Sequence, residues 1–237
     1  MQDKSKVTTF KKPSKKHQPA GLSILYEDKD ILVVDKVEGL LTMGTDREKH
    51  RTAHFLLNEY VKKGNPRAKN RVFIVHRLDR DTSGVLVFAK NEDAKQYLQE
   101  HWKEFSKVYY AVVAGKLQDK EGIITSYLVE NKAKRMYSSQ DPEQGKFSKT
   151  GYRVIKETSR CSLLEIDLYT GRKNQIRVHL SDKGNPVLGD KVYGQADRLS
   201  KRLALHAASL TIIHPVTKKE MSFKTEIPPY FKTLVKA

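Results

Sequence analysis

The run His76-Arg77-Leu78-Asp79-Arg80-Asp81-Thr82-Ser83-Gly84 puts two carboxylates and two guanidinium groups on one short polar stretch. An ionised carboxylate can serve as a nucleophile or as a base. Arg77 and Arg80 flank Asp79, and a nearby positive charge lowers a carboxylate pKa and keeps it ionised. Asp81 precedes Thr82-Ser83-Gly84, a composition suited to a tight turn, and reads as the residue that shapes it. Most loop aspartates only cap a backbone amide, so a reactive Asp79 needs partners from elsewhere in the chain.

Two further segments offer them. In Thr170-Gly171-Arg172-Lys173-Asn174-Gln175-Ile176-Arg177-Val178-His179-Leu180 the pattern predicts a helix over 171–183, closed by Gly184-Asn185-Pro186. On such a helix Lys173 and Arg177 share a face, and Ile176 and Leu180 form an apolar edge beside it. Free amides at the helix start, next to Arg172, suit a phosphate. Arg177 stands at the edge of a buried stripe and calls for a specific partner, with Asp79 the expected one. In Lys107-Val108-Tyr109-Tyr110-Ala111, strand alternation sends the two tyrosines to opposite faces. An aromatic ring beside basic groups is what a splayed-out base stacks on, although a strand tyrosine taken alone is more often core.

The elements that must position these groups are legible around them. Val72-Phe73-Ile74-Val75 and Val85-Leu86-Val87-Phe88-Ala89 read as strands on either side of the Asp79 run. Strands are also expected at 23–28 and 31–36 around an Asp28-Lys29-Asp30 turn, at 107–114, 151–156 and 162–169, and over 203–210 and 221–225. Helices are expected over 52–63 and from an Asn91 N-cap to about Trp102, with Glu92 and Asp93 where the helix dipole favours acids. The polar stretch 131–150 reads as a mobile connection. Strands outnumber helices and connections are short, which predicts an α+β fold with a mixed, largely antiparallel sheet and flanking helices and loops. Residues 1–20, with six lysines and two prolines, read as a flexible basic arm before a domain spanning 21–237.

Composition narrows the partner. Lysine and arginine number 45 against 28 acidic residues, a formal net charge of +17. An excess of this size points to a polyanion, most often nucleic acid. Cys161 is the only cysteine, which excludes an intrachain disulfide and any multi-cysteine zinc site. His50 and His54 have helical i,i+4 spacing, but no Glu follows His50 as a zinc peptidase pattern requires. No phosphate-binding or dinucleotide-binding glycine pattern is present, so no metal and no nucleotide cofactor is expected. No apolar run is long enough to span a membrane and no signal-peptide core is seen, which makes cytoplasm the expected location.

Taken in order, these segments resemble the RluA-type RNA pseudouridine synthases. That family carries His-Arg-Leu-Asp, two variable residues and Thr-Ser-Gly, as at His76 to Gly84. Its Lys-x-Tyr-x-Ala strand matches Lys107 to Ala111, and its Thr-Gly-Arg-x-x-Gln-Ile-Arg-Val-His segment matches Thr170 to His179. A Gly-x-Pro-x-x-Gly-Asp segment follows at Gly184 to Asp190, and a Leu-His-Ala pattern at Leu205 to Ala207. The likeness runs from about Ser23 to Tyr230. It implies an isomerase that converts uridine in structured RNA to pseudouridine, most readily in large-subunit ribosomal RNA, with transfer RNA as the alternative. A catalytically silent RNA-binding protein on the same fold is the rival reading.

The resemblance implies Asp79 as the essential carboxylate, attacking C1′ or removing a C2′ proton. It implies Arg177 as its charge partner and Tyr109 as the ring packing on the base. Arg77 would enter the RNA stack when the target nucleotide leaves it. His76, Arg80, Lys107, Arg172 and Lys173 complete the expected RNA-contacting set. It implies no metal or organic cofactor, and a monomer is expected. The sequence departs from the family at Asp35-Lys36-Val37-Glu38-Gly39-Leu40, where Asn-Lys-Pro-x-Gly-Leu is frequent, at Met43-Gly44 in place of His-Pro, and at Asn174 in place of His. The S4-type RNA-binding domain common in relatives is not expected ahead of residue 20, and the basic arm is expected to take over part of its role.

Overall fold

The computed structural model describes residues 18–44, 48, 50–194 and 199–236. The expected basic arm lies almost wholly outside the described residues. The elements in chain order are β1 (Leu22–Glu27), β2 (Ile31–Lys36), α1 (Ala53–Lys62), β3 (Phe73–Ile74), β4 (Ser83–Ala89), α2 (Glu92–Glu100), β5 (Ser106–Ala114), β6 (Glu121–Glu130), β7 (Met136–Ser139), β8 (Lys146–Glu157), β9 (Cys161–Leu168), α3 (Gln175–Asp182), β10 (Leu205–Ile213), β11 (Glu220–Lys224) and α4 (Pro229–Leu234). The chain divides into two compact units, Met1–Phe105 with Ser209–Thr225, and Ser106–Ala208 with Glu226–Ala237.

The first unit is built on antiparallel pairs β1–β2, β2–β4, β3–β4 and β10–β11. Every residue of β4 is buried, because the strand lies between neighbours on a continuous apolar core. Val33, Val85, Val87, Leu98, Leu210 and Phe223 belong to that core, and α2 reaches it through Ala94 and Leu98. The Asn91 side chain accepts from the Ala94 amide at 2.8 Å, as its N-cap position predicts. Thr52 caps α1 in the same way, and the helix ends where Lys63 and Gly64 take positive φ values of 50° and 77°.

The second unit carries the antiparallel sheet β5–β9–β8–β6–β7. Helix α3 packs on β6, β7 and β8, and α4 packs on β5. The architecture is α+β with a mostly antiparallel sheet, as the strand-rich pattern predicts.

Three local expectations are corrected. Residues 131–150 are not a mobile connection but hold β7 and the first five residues of β8. Their polarity is misleading because Ser148 and Thr150 are buried on the α3 side, where Thr150 bonds side chains of that helix. The helix expected over 171–183 starts only at Gln175, since Asn174 is in the left-handed region at φ 54°. The residues before it form a turn. The strand expected over 72–75 shrinks to Phe73–Ile74. Strand β6 and helix α4 were not legible in the pattern.

Candidate active site

Asp79 sits on a loop whose backbone is fastened on both sides of it. Before it, Leu78 makes a reciprocal pair with buried Thr42: the Leu78 amide donates to Oγ1 at 3.1 Å and the Thr42 hydroxyl donates to the Leu78 carbonyl at 2.8 Å. After it, the Arg80 carbonyl accepts from the Lys36 ammonium at 3.0 Å. The Asp79 carbonyl itself accepts from the Thr82 amide, closing the turn. A carboxylate held between two such anchors loses little orientational freedom to the loop, as a preorganised catalytic group requires.

Lys36 is 0% exposed, at the end of a strand that begins Ile31-Leu32-Val33-Val34. Its three ammonium hydrogens are matched by three carbonyls, of Val37, Leu40 and Arg80. Burial lowers its pKa to about 8, against the pull of the Asp81 and Asp79 carboxylates. Lys36 therefore ties the segment after β2 to the Asp79 loop and puts a buried positive charge near both acids. Replacing it with Met keeps the stem and removes the donors. Unsatisfied buried carbonyls cost about 1–3 kcal/mol each. Lys36→Met is therefore expected to lower stability by about 3 kcal/mol or more, read from denaturant melts. An unchanged midpoint would show that the tie does not hold the loop.

The neighbours of Asp79 have distinct surroundings. Arg77 is exposed. Arg80 is also exposed and pairs with Glu48. The His76 ring stacks on Trp102 at 4.2 Å between centroids. Its Nε2 accepts from the Val87 amide at 3.2 Å, so a neutral ring carries its proton on Nδ1. His76 thus roots the loop on β4 and on the segment after α2.

In the second unit, Arg177 makes a bidentate pair with Asp190, Nε to Oδ2 at 2.7 Å and Nη2 to Oδ1 at 2.8 Å. The Asp190 side chain is 1% exposed and also accepts from the Val192 and Tyr193 amides. Despite the cost of burial, these donors hold its carboxyl below the usual carboxylate range. The Arg177 guanidinium lies over the Tyr193 ring, 5.1 Å from its centroid. The plane of Arg177 is therefore fixed by Asp190 along one edge and by an aromatic face.

Gln175 and His179 explain the rest of the segment. Gln175 accepts from the Thr170 hydroxyl and the Arg172 amide, and donates to the Lys149 carbonyl and Thr150. The amide expected to be free for a phosphate at Arg172 is thus occupied. Lys173 lies ahead of α3 and bonds Glu130 and the Lys134 carbonyl, so it does not share a helix face with Arg177. His179 is fully buried between Thr150 and Ser126. Burial lowers its pKa below the ordinary 6.5, so it is neutral in the fold.

The sign of that shift gives a pH prediction. Below 6.5 the unfolded chain binds a proton that folded His179 resists, so stability falls on acidification. The melting temperature should drop between about pH 7 and pH 5, and His179→Gln should flatten that slope. An equal slope in the variant would assign the effect to other groups.

On β5, Lys107, Tyr109 and Ala111 share the buried face, with Tyr109 opposite Ile166. Lys107 is 7% exposed, and burial lowers its pKa to about 8. Tyr110 takes the other face, as alternation predicts, with its hydroxyl toward Glu165 at 3.4 Å. The structure places Asp79, Arg77, His76 and Arg80 in the first unit, and Tyr109, Lys107, Arg172, Lys173 and Arg177 in the second.

The family model for RNA pseudouridylate synthases matches residues 30–182. A dual-specificity RNA pseudouridine synthase RluA from Salmonella typhimurium is 36% identical, over 87% of this chain and 94% of its own length. A ribosomal large subunit pseudouridine synthase D from Borreliella burgdorferi is 35% identical, over 89% of this chain and 66% of its own. Among solved structures, human RNA pseudouridylate synthase domain containing 4 superposes with a TM-score of 0.73 at 25% identity, covering 89% of this chain and 90% of that one. The chain belongs to the RNA pseudouridylate synthase family, isomerases that convert uridine in RNA to pseudouridine.

Proposed function

We propose that this protein isomerises specific uridines of structured RNA, with large-subunit ribosomal RNA as its first substrate and transfer RNA as its second. The observation that carries the reading is the Asp79 backbone fastened on either side by Thr42 and Lys36, within the segment that matches the family model. The relative from Borreliella burgdorferi is named for the large ribosomal subunit, and that from Salmonella typhimurium for dual specificity. The second name supports keeping transfer RNA as an alternative.

In this reading Asp79 is the carboxylate that acts on the ribose of the target uridine, at C1′ or at the C2′ proton. The N1–C1′ bond breaks, the uracil turns, C5 bonds to C1′ and gives up its proton, and N1 gains one. Tyr109 packs on the base. Arg177, braced by Asp190, balances the Asp79 charge. The target must leave its stack, at a cost of a few kcal/mol. Arg77, exposed beside Asp79, enters the gap and offsets part of that cost. Phosphate contacts from Arg80, Arg172 and Lys173 supply much of the affinity. Lys107 and His76 act from within, on the Tyr109 strand face and at the root of the loop. The enzyme works as a monomer without metal or organic cofactor. No helix among the described residues is long and apolar enough to cross a membrane, which fits action on cytoplasmic RNA.

The test is a pseudouridine map of cellular RNA with and without the protein. Pseudouridine and uridine have equal mass, so the map relies on chemical derivatisation. The expected result is loss of defined sites in ribosomal RNA. Loss confined to transfer RNA would select the alternative, and no lost site would favour a binding-only protein.

A further inference from the structure

The second unit has a sheet face that the catalytic reading leaves unused. Directly opposed residues of antiparallel strands project to the same side. Ser126 opposes Ser148, and both are buried on the side where α3 packs. Their neighbours Tyr127, Phe147 and Lys149 therefore stand on the opposite side. There Tyr127 opposes Phe147, and their rings meet edge to face at 5.8 Å. Thr150 opposes Leu168, which brings Tyr169 beside Lys149. The Lys149 ammonium lies 4.7 Å from the Tyr169 ring centroid.

Two features mark this face as more than a solvated sheet. Its aromatic rings are exposed, Phe147 at 46% and Tyr169 at 47%, with Tyr137 on β7 at 44%. The backbone also makes room for one of them: a Cβ on Gly151 would come within 3.1 Å of the Tyr169 ring, so the ring lies against bare backbone. Charge supplies the rest. Lys149 stands on β8, and the Arg172 side chain bonds the Phe147 carbonyl at 3.3 Å. The acidic groups toward β9 are Asp167, opposite Gly151, and Glu165, which is paired with Arg153.

We propose that this face of β6, β8 and the end of β9 binds a single-stranded segment of the RNA substrate. Exposed rings interleaved with cations are the surface on which successive bases stack while phosphates meet positive charge. In a chain of net charge +17, charge complementarity favours RNA over a second copy of the same chain. The inference rests on the RNA-modifying reading but uses none of its catalytic residues.

The test is fluorescence anisotropy with a short oligouridine strand and with a hairpin duplex of equal length, using full-length protein. Tyr169→Ser and Lys149→Glu are each expected to weaken single-strand binding by roughly tenfold and duplex binding by far less. Both variants should retain isomerisation of a minimal stem-loop. Lys149 and Tyr169 are on the surface, so matched melting curves separate lost binding from lost folding. Single-strand affinity within about twofold of wild type in both variants would overturn the proposal. So would concentration-dependent self-association of the wild type that both variants abolish, since the face would then be a contact between copies. If the wild type forms no pseudouridine but the variants still lose single-strand binding, the platform stands and the enzymatic reading falls.

Discussion

Asp79→Asn is expected to abolish pseudouridine formation and leave RNA binding nearly intact. The substitution keeps size and shape and removes only the charge and basicity of the side chain. The anchors of the loop are backbone contacts, made by Leu78 to Thr42 and by Arg80 to Lys36. The turn is closed by the Asp79 carbonyl and the Thr82 amide. None of these involves the carboxylate, so these anchors persist in the variant. Loss of an essential nucleophile or base lowers turnover by about 10³-fold or more. Derivatised pseudouridine counted after a single turnover would report this, with the dissociation constant measured in parallel. Ordinary turnover by the variant would remove Asp79 from the chemistry. Lost turnover with equally lost binding would instead make it an RNA contact.

The second large effect is expected at the Arg177–Asp190 pair. Both side chains are largely withdrawn from solvent, and Asp190 is satisfied by two guanidinium contacts and two amides. Breaking one half of a buried pair leaves an uncompensated charge and costs about 3–5 kcal/mol. Asp190→Asn and Arg177→Met should each destabilise the fold on that scale by denaturant melts. The double variant should lose less than the sum of the two, because the second change removes the stranded partner. Strict additivity would show that the pair is not coupled. Turnover should fall in both single variants even where they remain folded, since Arg177 loses either its charge or its brace. The wild-type pair has its own acid limit. The Asp190 carboxyl titrates below the usual 3.8, so its contribution is complete above that value and is lost as pH falls through the lower folded one. That window lies well below the one in which His179 acts.

What could be read from the sequence was local. Apolar runs rich in β-branched residues marked β2, β4 and β5, because a strand buried by its neighbours needs that composition over consecutive positions, and alternation of Leu164, Ile166 and Leu168 with polar residues marked β9. Asn91 announced α2 through its own side chain, a contact made three residues away. The reactive segment His76 to Gly84 stood out because so polar a stretch between two such strands has no packing use. Its order with the Lys107 and Thr170 segments carried the family resemblance.

Local pattern failed where polar residues are buried by distant partners. The stretch 131–150 looked unstructured because its serines and threonines are hydrophilic in isolation. In the fold Ser138 is satisfied by Asp182, and Thr150 by Gln175 and His179. Small hydroxyls alternating along 146–150 were the one available signal, and it is weak without knowing that a helix faces them. The expected helix over 171–183 failed for the converse reason. Gln175 organises the preceding turn through its side chain, which propensity does not register.

The sequence by itself determined which residues could react, the strands that hold them and the polyanion they face. Only the tertiary structure decided what holds the reactive groups still. Lys36 reaches Arg80 across 44 positions, and Thr42 reaches Leu78 across 36. Arg177 is braced by an aspartate that the motif supplied only as a letter. Hydrogen bonds and ion pairs of this kind depend on distance in space, and a lysine that ends a buried strand shows its purpose only once its three carbonyls are in place.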